Sequence, residues 1–130
     1  MSVEFEVYGF ISASPQEIYH AWLDSDGHSK MTGTQSEVSD KVGDRFEAGD
    51  GYIQGVNLEL EPSVRILQSW RTTEFEESDE DSRLEILLKA QKGGTLVTIR
   101  HSQLPENGMQ YKDGWVDYYF TPMKEYFGRS

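Results

Sequence analysis

Cysteine is absent from the 130-residue sequence, which excludes disulfide bridges, thiolate metal sites and cysteine nucleophiles. Long apolar runs are absent as well, since no stretch approaches the roughly 20 residues that span a bilayer. The first six residues carry two acids, where a signal peptide needs a basic start and an apolar core. From these absences we expect a cytoplasmic protein that does not interact with membranes.

Basic residues are scarce: 12 Lys and Arg stand against 23 Asp and Glu, which gives a net charge of −11. Such a chain repels the phosphates of nucleic acids and the headgroups of anionic lipids, so we expect neither as a partner. Aromatic residues, in contrast, make up 12% of the sequence, which argues against disorder. The length fits a single domain, residues 1–130.

The first part of the sequence predicts a strand followed by two short helices. Apolar and polar side chains alternate from Val3 to Ile11, which is the two-residue period of a strand. Ser14, Pro15 and Glu17 then predict a helix start, because serine can cap, proline suits the first helical position and glutamate completes a capping box. Residues 24–27 interrupt this helix, and a second short helix is predicted over His28–Met31.

From residue 35 onward the pattern predicts a run of antiparallel strands joined by short turns. A turn at 42–46 leads into a short strand, and the acidic segment 74–81 is typical of a solvent-exposed hairpin tip. The longer strands are predicted at Tyr52–Leu60, at Arg65–Thr73, around Leu84, Ile86 and Leu88, and around Val97, Ile99 and His101.

The last segment changes to a helical period. Two series recur every three or four residues and are expected on one broad face: Trp115, Tyr119, Met123 and Tyr126, and Val116, Phe120, Met123 and Phe127. Pro122 removes a backbone donor and should bend this helix. The fold class is therefore α+β, with one helix over 108–127 across a curved antiparallel sheet. A helix about 10 Å wide cannot seal six or seven strands at ~4.8 Å spacing, so we expect a cleft between them.

Short motifs spread along the chain carry a family resemblance. In chain order they are Ala13–Tyr19, Asp50–Gly55, Glu59–Pro62, Ile66–Arg71, Gly114–Phe120 and Pro122–Gly128. Together they resemble the C-terminal domain of the activators of heat-shock protein 90 ATPase. The resemblance implies a helix-grip fold of the START-like, or SRPBCC, superfamily. Members of that superfamily enclose hydrophobic ligands between the sheet and the last helix, and a minority are enzymes.

The sequence allows several roles for the polar side chain of His101. It shares its predicted strand face with Val97 and Ile99, which points it toward the sheet's apolar side. There it could hydrogen-bond a ligand or act as a base, with Gln68 or Gln54 as a second polar group. It could equally be a core histidine whose hydrogen bonds are satisfied by a neighbour.

Aromatic side chains are expected to meet where the final helix crosses the sheet. Trp70, Trp115 and Tyr119 could form ordinary core packing or the wall of a ligand cavity. The hydroxyl groups of Tyr52 and Tyr119 could orient a guest or reach solvent. The full set expected to contact a ligand is Trp22, Tyr52, Gln54, Gln68, Trp70, Leu88, Ile99, His101, Trp115, Tyr119 and Met123.

Three functions remain open at this point. The preferred hypothesis is a non-enzymatic binding protein that holds a small hydrophobic or aromatic molecule between sheet and helix, without a cofactor or metal. The alternative is a co-chaperone-like module that contacts a heat-shock protein 90 homologue through its outer surface, with the acidic segment 74–81 and Arg71 as candidate docking sites. The third hypothesis is a cyclase- or hydrolase-type enzyme with His101 as its base. Against this hypothesis, the usual catalytic motifs are missing from the sequence.

Overall fold

A computed structural model describes residues 2–128. Its strands are β1 (Val3–Ile11), β2 (Arg45–Ala48), β3 (Ile53–Glu61), β4 (Arg65–Thr72), β5 (Ser82–Gln91) and β6 (Gly94–Leu104). Helices α1 (Pro15–Trp22) and α2 (Ser25–Thr32) follow β1. The chain then ends with a 3-10 turn (Glu106–Met109), α3 (Gln110–Trp115), a π-helical segment (Val116–Phe120) and α4 (Thr121–Phe127). We call these last four segments together the C-terminal helix.

The six strands form one antiparallel sheet in the order β1-β6-β5-β4-β3-β2. Strands β2 to β6 pair with their neighbours in sequence, whereas β1 pairs with β6, and Gly9 faces Val97. Buried and more exposed side chains alternate along β5, whose buried residues are Ser82, Leu84, Ile86 and Leu88. The predicted α+β class is confirmed, and the strand number lies within the predicted range.

The two short helices after β1 begin at side-chain caps. The capping box of α1 is formed as predicted, with the Ser14 hydroxyl accepting from the Glu17 N–H and the Glu17 carboxylate accepting from the Ser14 N–H, both at 3.1 Å. Helix α2 starts earlier than predicted because the Asp24 carboxylate caps it, accepting from the Gly27 N–H at 2.9 Å. It ends at Gly33, whose φ of 80° is left-handed and therefore suits glycine.

The C-terminal helix is irregular at its centre. The N–H of Thr121 bonds to the carbonyl of Val116, five residues back, and this π turn directly precedes Pro122, whose ring disfavours a regular turn. The prediction of one broad apolar face is wrong for Val116 and Tyr126, which are 42% and 38% exposed. The wider turn changes the angular step between residues, so positions on either side no longer share one stripe. Of the two predicted series, the buried residues are Trp115, Tyr119, Phe120 and Met123.

The C-terminal helix packs against β1, at one edge of the sheet. The two pack tightly at Gly9, where an added Cβ would lie 2.8 Å from the Phe120 ring. Because the single helix is narrower than the sheet, its position over β1 leaves the opposite side, toward β3 and β4, less covered. Among residues 2–128, no helix combines the length and the apolar character needed to cross a membrane.

Replacing Gly9 with alanine should destabilise the protein by about 1–3 kcal/mol, since the new methyl group overlaps the buried Phe120 ring. Urea unfolding followed by tryptophan fluorescence would measure this loss. The matched control is Gly114→Ala in α3, where the nearest atom, Tyr118 Cδ2, is 3.8 Å away. That variant should gain up to about 1 kcal/mol from helix propensity. A Gly9→Ala variant as stable as the parent would contradict the tight contact.

Candidate functional site

A groove with a volume of about 580 Å³ lies between the C-terminal helix and the side of the sheet formed by β3 and β4. It is open to solvent on one side, and its lining is mostly apolar. Its aromatic lining residues are Tyr52, Trp70, Tyr111, Trp115, Tyr118 and Tyr119. The other lining residues come from the end of α2 and the loop after it, the turn before β3, the start of β3, and the C-terminal helix.

Helical spacing accounts for one wall of the groove. Tyr111, Trp115 and Tyr118 follow one another at intervals of four and three residues, which places them on neighbouring parts of one helix face. Gly114 also lines the groove, and its missing side chain leaves the space between these rings open. The opposite wall includes Trp70, from the buried face of β4.

Behind the groove, the aromatic rings fill the space between helix and sheet. Trp22 of α1 stacks on Tyr119 with ring centroids 5.0 Å apart. Trp115 lies 4.8 Å from Tyr119 and 5.7 Å from Trp70, again between centroids. The rings of Trp70, Trp115 and Tyr119 therefore pack in the core and also form a wall of the groove. The free volume lies on the side of these rings that is open to solvent.

His101 is held by a chain of hydrogen bonds that defines its tautomer. The indole N–H of Trp115 donates to Nδ1 at 3.0 Å, so Nδ1 carries no proton. The Ser82 hydroxyl donates to the Trp70 carbonyl at 2.7 Å, so it accepts from Nε2 at 2.8 Å. The neutral ring thus has its proton on Nε2, and burial lowers the pKa of His101 to about 3. Protonation of the ring would also place a hydrogen on Nδ1, which would then face the indole N–H of Trp115, so that two donors meet and their hydrogen bond is lost.

His28 forms a second buried pair and has the opposite tautomer. Its Nδ1 lies 2.8 Å from the Trp22 carbonyl, which can only accept, so Nδ1 carries the proton. Its Nε2 then accepts from the Tyr119 hydroxyl, also at 2.8 Å. Burial lowers the pKa of His28 and raises the pKa of Tyr119, which keeps both neutral. These bonds connect α2 and the end of α1 to the π-helical segment.

The residues expected to contact a ligand are found partly in the groove and partly in the core. Four of them line the groove: Tyr52, Trp70, Trp115 and Tyr119. Four others are buried in the core: Trp22, Leu88, Ile99 and Met123. His101 is buried next to this core with both ring nitrogens bonded to protein groups.

The two glutamines are bonded to other side chains. Gln68 is buried, and its amide donates to the Asn57 side-chain oxygen at 2.9 Å, while the Asn57 amide donates to the Ser39 carbonyl at 2.8 Å. Gln54 follows the buried Ile53 on β3, so its side chain points to the other face of the sheet. There it accepts a hydrogen bond from Arg45 at 3.2 Å. Neither glutamine lines the groove.

Sequence reasoning missed several groove residues on the C-terminal helix. Tyr111, Asp113, Asp117 and Tyr118 all line the groove. A signal for the two tyrosines was present, because Tyr111 precedes Trp115 by four residues and Tyr118 follows it by three. The predicted apolar series begin at Trp115 and Val116 and extend toward the C-terminus, so they include neither tyrosine. The two aspartates gave no signal because exposed carboxylates are ordinary on a helix surface.

The acidic segment 74–81 is held in place by Arg71. The guanidinium donates to the Asp81 carboxylate at 2.7 Å and to the carbonyls of Asp79 and Glu76 at 3.1 and 3.0 Å. It also lies 5.4 Å from the centroid of the Phe75 ring. The candidate docking residue Arg71 is therefore mostly occupied in ordering the segment, and the carboxylates of the segment form the exposed surface.

The groove offers aromatic faces and a few polar groups at its rim. The Tyr52 hydroxyl donates to the Glu74 carboxylate, and burial together with this hydrogen bond raises the pKa of Tyr52. Within residues 2–128, no group of three or more His, Asp or Glu side chains is placed to hold a metal ion. The arrangement can stack against flat apolar groups and contact polar groups at the rim.

The curved sheet, the two helices after β1 and the C-terminal helix packed on the sheet define a helix-grip α+β protein. Residues 12–128 match the model of the family described as "Activator of Hsp90 ATPase homolog 1-like protein", and the chain belongs to this family. The resemblance carried by the sequence motifs is thereby confirmed.

The similar proteins include human and microbial activators. The human "Activator of 90 kDa heat shock protein ATPase homolog 1" is 23% identical over 116 residues, and the chain spans about a third of it (34%). The crystal structure of PFC0360w, an HSP90 activator from Plasmodium falciparum, has a TM-score of 0.85 at 22% identity, with 96% of each chain covered. The Aha1 dimer from Colwellia psychrerythraea has a TM-score of 0.80 at 19% identity, again with 96% of each chain covered. This fold supports a binding or co-chaperone-like role in general.

Because both buried histidines are neutral in the folded protein, we predict that acid destabilises it. Below pH 6.5 the unfolded chain binds a proton at His101 that the folded chain does not bind until about pH 3. Stability should therefore fall as the pH drops from 6.5 toward 3, by about 1.4 kcal/mol per pH unit from His101 alone. His28, whose pKa is lowered as well, adds to the loss.

Urea unfolding at several pH values would measure this slope, and His101→Gln should reduce it. His20→Gln is the control, because that ring is exposed on α1. Nitrogen-15 spectra should show Nε2–H at His101 near pH 5 and Nδ1–H at His28 near pH 7. A charged imidazolium at either position would contradict the assignment.

Proposed function

We propose that this chain is a binding protein that holds a small hydrophobic or aromatic molecule in the groove between its C-terminal helix and its sheet. The observation that supports this most is the aromatic lining of a volume of about 580 Å³. Small-molecule sites range over roughly 300–1,000 Å³ and combine apolar walls with a few polar groups. The groove has this size and this composition.

The chemistry of the walls favours a flat guest. Tyr118 is 73% exposed and Tyr52 is half-buried, and a ring that stacks on either of them, offset or edge to face, gains about 0.5–1.5 kcal/mol beyond the burial of apolar area. Trp70 and Trp115 are each 3% exposed and form the base of the groove, where neighbouring rings and, for Trp115, the bond to His101 lock them in place. A guest would therefore meet walls that are already ordered, which reduces the entropy lost on binding.

The protonation, hydrogen bonds and burial of His101 agree with a binding role. Its Nε2 holds a proton and the Ser82 hydroxyl donates to a carbonyl, so the pair offers no free base. Ser82 and His101 are 0% and 1% exposed. The rings of Trp70 and Trp115 cover the imidazole with centroids 4.5 and 5.8 Å away. We therefore favour binding over catalysis.

Filling the groove tests the proposal. The Cβ that Gly114→Leu adds would have Tyr118 Cδ2, 3.8 Å away, as its neighbour within 4 Å, and Gly114 lines the groove, so we expect the leucine side chain to extend into the groove. N-methylacridone, an uncharged three-ring probe, should bind the parent and quench its tryptophan fluorescence. In Gly114→Leu we expect at least a tenfold weaker affinity, about 1.4 kcal/mol, because the space for the probe is lost.

The control for this experiment is Gly114→Ala, whose methyl group is too small to fill the groove and should leave binding close to that of the parent. Circular dichroism and urea unfolding would verify that both variants are folded. If the parent does not bind the probe, or if Gly114→Leu binds it as well as the parent does, the groove is not the binding site that we propose.

A second candidate function is contact with a heat-shock protein 90 homologue through the outer surface. The names of the human and Plasmodium proteins support it, as does the acidic segment 74–81, which Arg71 holds in one conformation. An ordered acidic surface can attract a basic one and accelerate association. This role uses the exterior and is compatible with a ligand in the groove.

Charge reversal tests the second candidate. Glu77→Lys combined with Glu80→Lys should weaken binding to the host's heat-shock protein 90 homologue several-fold, mainly through a slower association rate. Surface plasmon resonance at two salt concentrations would measure the rates. Glu4→Lys with Glu125→Lys makes the same charge change at exposed positions outside the segment and should have less effect. Equal losses in both pairs, or no binding by the parent, would contradict a docking role for the segment.

A further inference from the structure

The two charged residues that line the groove are both acidic. Asp113 and Asp117 are the charged residues in its lining, one turn apart on the C-terminal helix. Both carboxylates are exposed, and within residues 2–128 neither forms an ion pair with a Lys or Arg side chain. Glu74 adds a third carboxylate at the opposite wall, where it accepts the hydrogen bond of Tyr52.

The walls between these carboxylates are aromatic faces that attract positive charge. Trp70 and Trp115 line the groove together with four tyrosines, and the face of an indole or phenol ring carries negative electrostatic potential. Tyr52 donates a hydrogen bond to the Glu74 carboxylate, which polarises its ring in the same direction. The net charge of −11 extends this potential beyond the groove and would attract cations from solution.

A metal ion does not fit this arrangement. Hard cations need several converging oxygen ligands, and no cluster of three or more His, Asp or Glu side chains occurs in the part of the chain that the structure describes. An anionic guest would meet two carboxylates and no lining cation. A cation with an apolar body, in contrast, can stack its rings on Tyr118 or Tyr52, the accessible rings of the lining, while its charge lies near the aspartates.

We infer that the groove selects an organic cation, with a flat apolar body and an ammonium- or pyridinium-type charge. The inference rests on the proposed function and adds the charge of the ligand to it. We assign a small molecule to the groove because the volume of the groove is limited and its lining carries negative charge. A Lys or Arg side chain of a bound peptide would supply only the positive charge of such a molecule and not its flat apolar body.

Two probes of nearly the same size and shape isolate the charge. N-methylacridinium carries one positive charge, and N-methylacridone is its neutral counterpart. The parent protein should bind the acridinium at least fivefold more tightly at 20 mM salt, measured by isothermal titration calorimetry. This advantage should shrink at 300 mM salt, because the rim carboxylates are exposed and their field is screened. Equal affinities for the two probes at low salt would overturn the inference.

Neutral variants locate the source of the advantage. Asp113→Asn with Asp117→Asn should remove most of the preference for acridinium and leave acridone binding within about twofold of the parent. Glu77→Gln with Glu80→Gln is the matched control, with the same change of net charge in the acidic segment, and it should keep most of the preference. If the control loses as much as the groove variant, only the net charge matters and the inference is wrong.

The outcomes separate this inference from the proposed function. If acridone binds and Gly114→Leu abolishes its binding, while acridinium has no advantage, the groove binds neutral guests and only the charge preference fails. If neither probe binds, or if Gly114→Leu leaves both affinities unchanged, the proposed function fails too. A short lysine-containing peptide that binds in competition with acridinium, and more tightly, would replace the small-molecule cation with a protein ligand and overturn the inference.

Discussion

Two buried, uncharged histidines hold the aromatic side of the C-terminal helix against the rest of the protein. Trp115 donates to His101 on β6, and Tyr119 donates to His28 on α2. Because these partners are buried, losing either bond would leave a polar group without water or protein, at a cost of about 1–3 kcal/mol. A third buried bond joins the Tyr111 hydroxyl to the Thr72 side chain of β4 at 2.7 Å, and together the three bonds define how far the helix lies from the sheet and from α2, and hence the position of the groove wall.

The groove is a consequence of that position. The helix packs tightly on β1, where Gly9 admits the Phe120 ring, and it is too narrow to cover the β3 and β4 side as well. Tryptophan and tyrosine rings fill most of the gap and leave about 580 Å³ open. The π turn before Pro122 contributes by burying Tyr119 and Phe120 at adjacent positions of the same segment. Core stability and a ligand-sized space thus use the same side chains.

The interior and the exterior of this protein have different physical characters. Inside, the hydrogen bonds of His28, His101 and Tyr119 are satisfied by protein groups, and burial keeps all three neutral. Outside, the charge is strongly negative and includes the ordered segment 74–81 and the groove rim. Family membership alone does not choose between a role for the groove and a role for the surface, since one fold hosts many functions. We base our proposal on the groove because its volume of about 580 Å³ and its mostly apolar lining suit a small molecule.

Much of the fold could be predicted from the sequence. Alternation, the capping box at Ser14 and Glu17, and the change to a helical period each depend on residues close together in the chain, so the order of strands and helices was determined locally. Three features follow only from packing: the pairing of Tyr119 with His28 across 91 residues, the opposite tautomers of the two histidines, and the placement of Asp113 and Asp117 at the groove. These features depend on which surfaces meet when the helix packs on the sheet, and on a π turn that shifts the helical register, so no periodicity in the sequence encodes them.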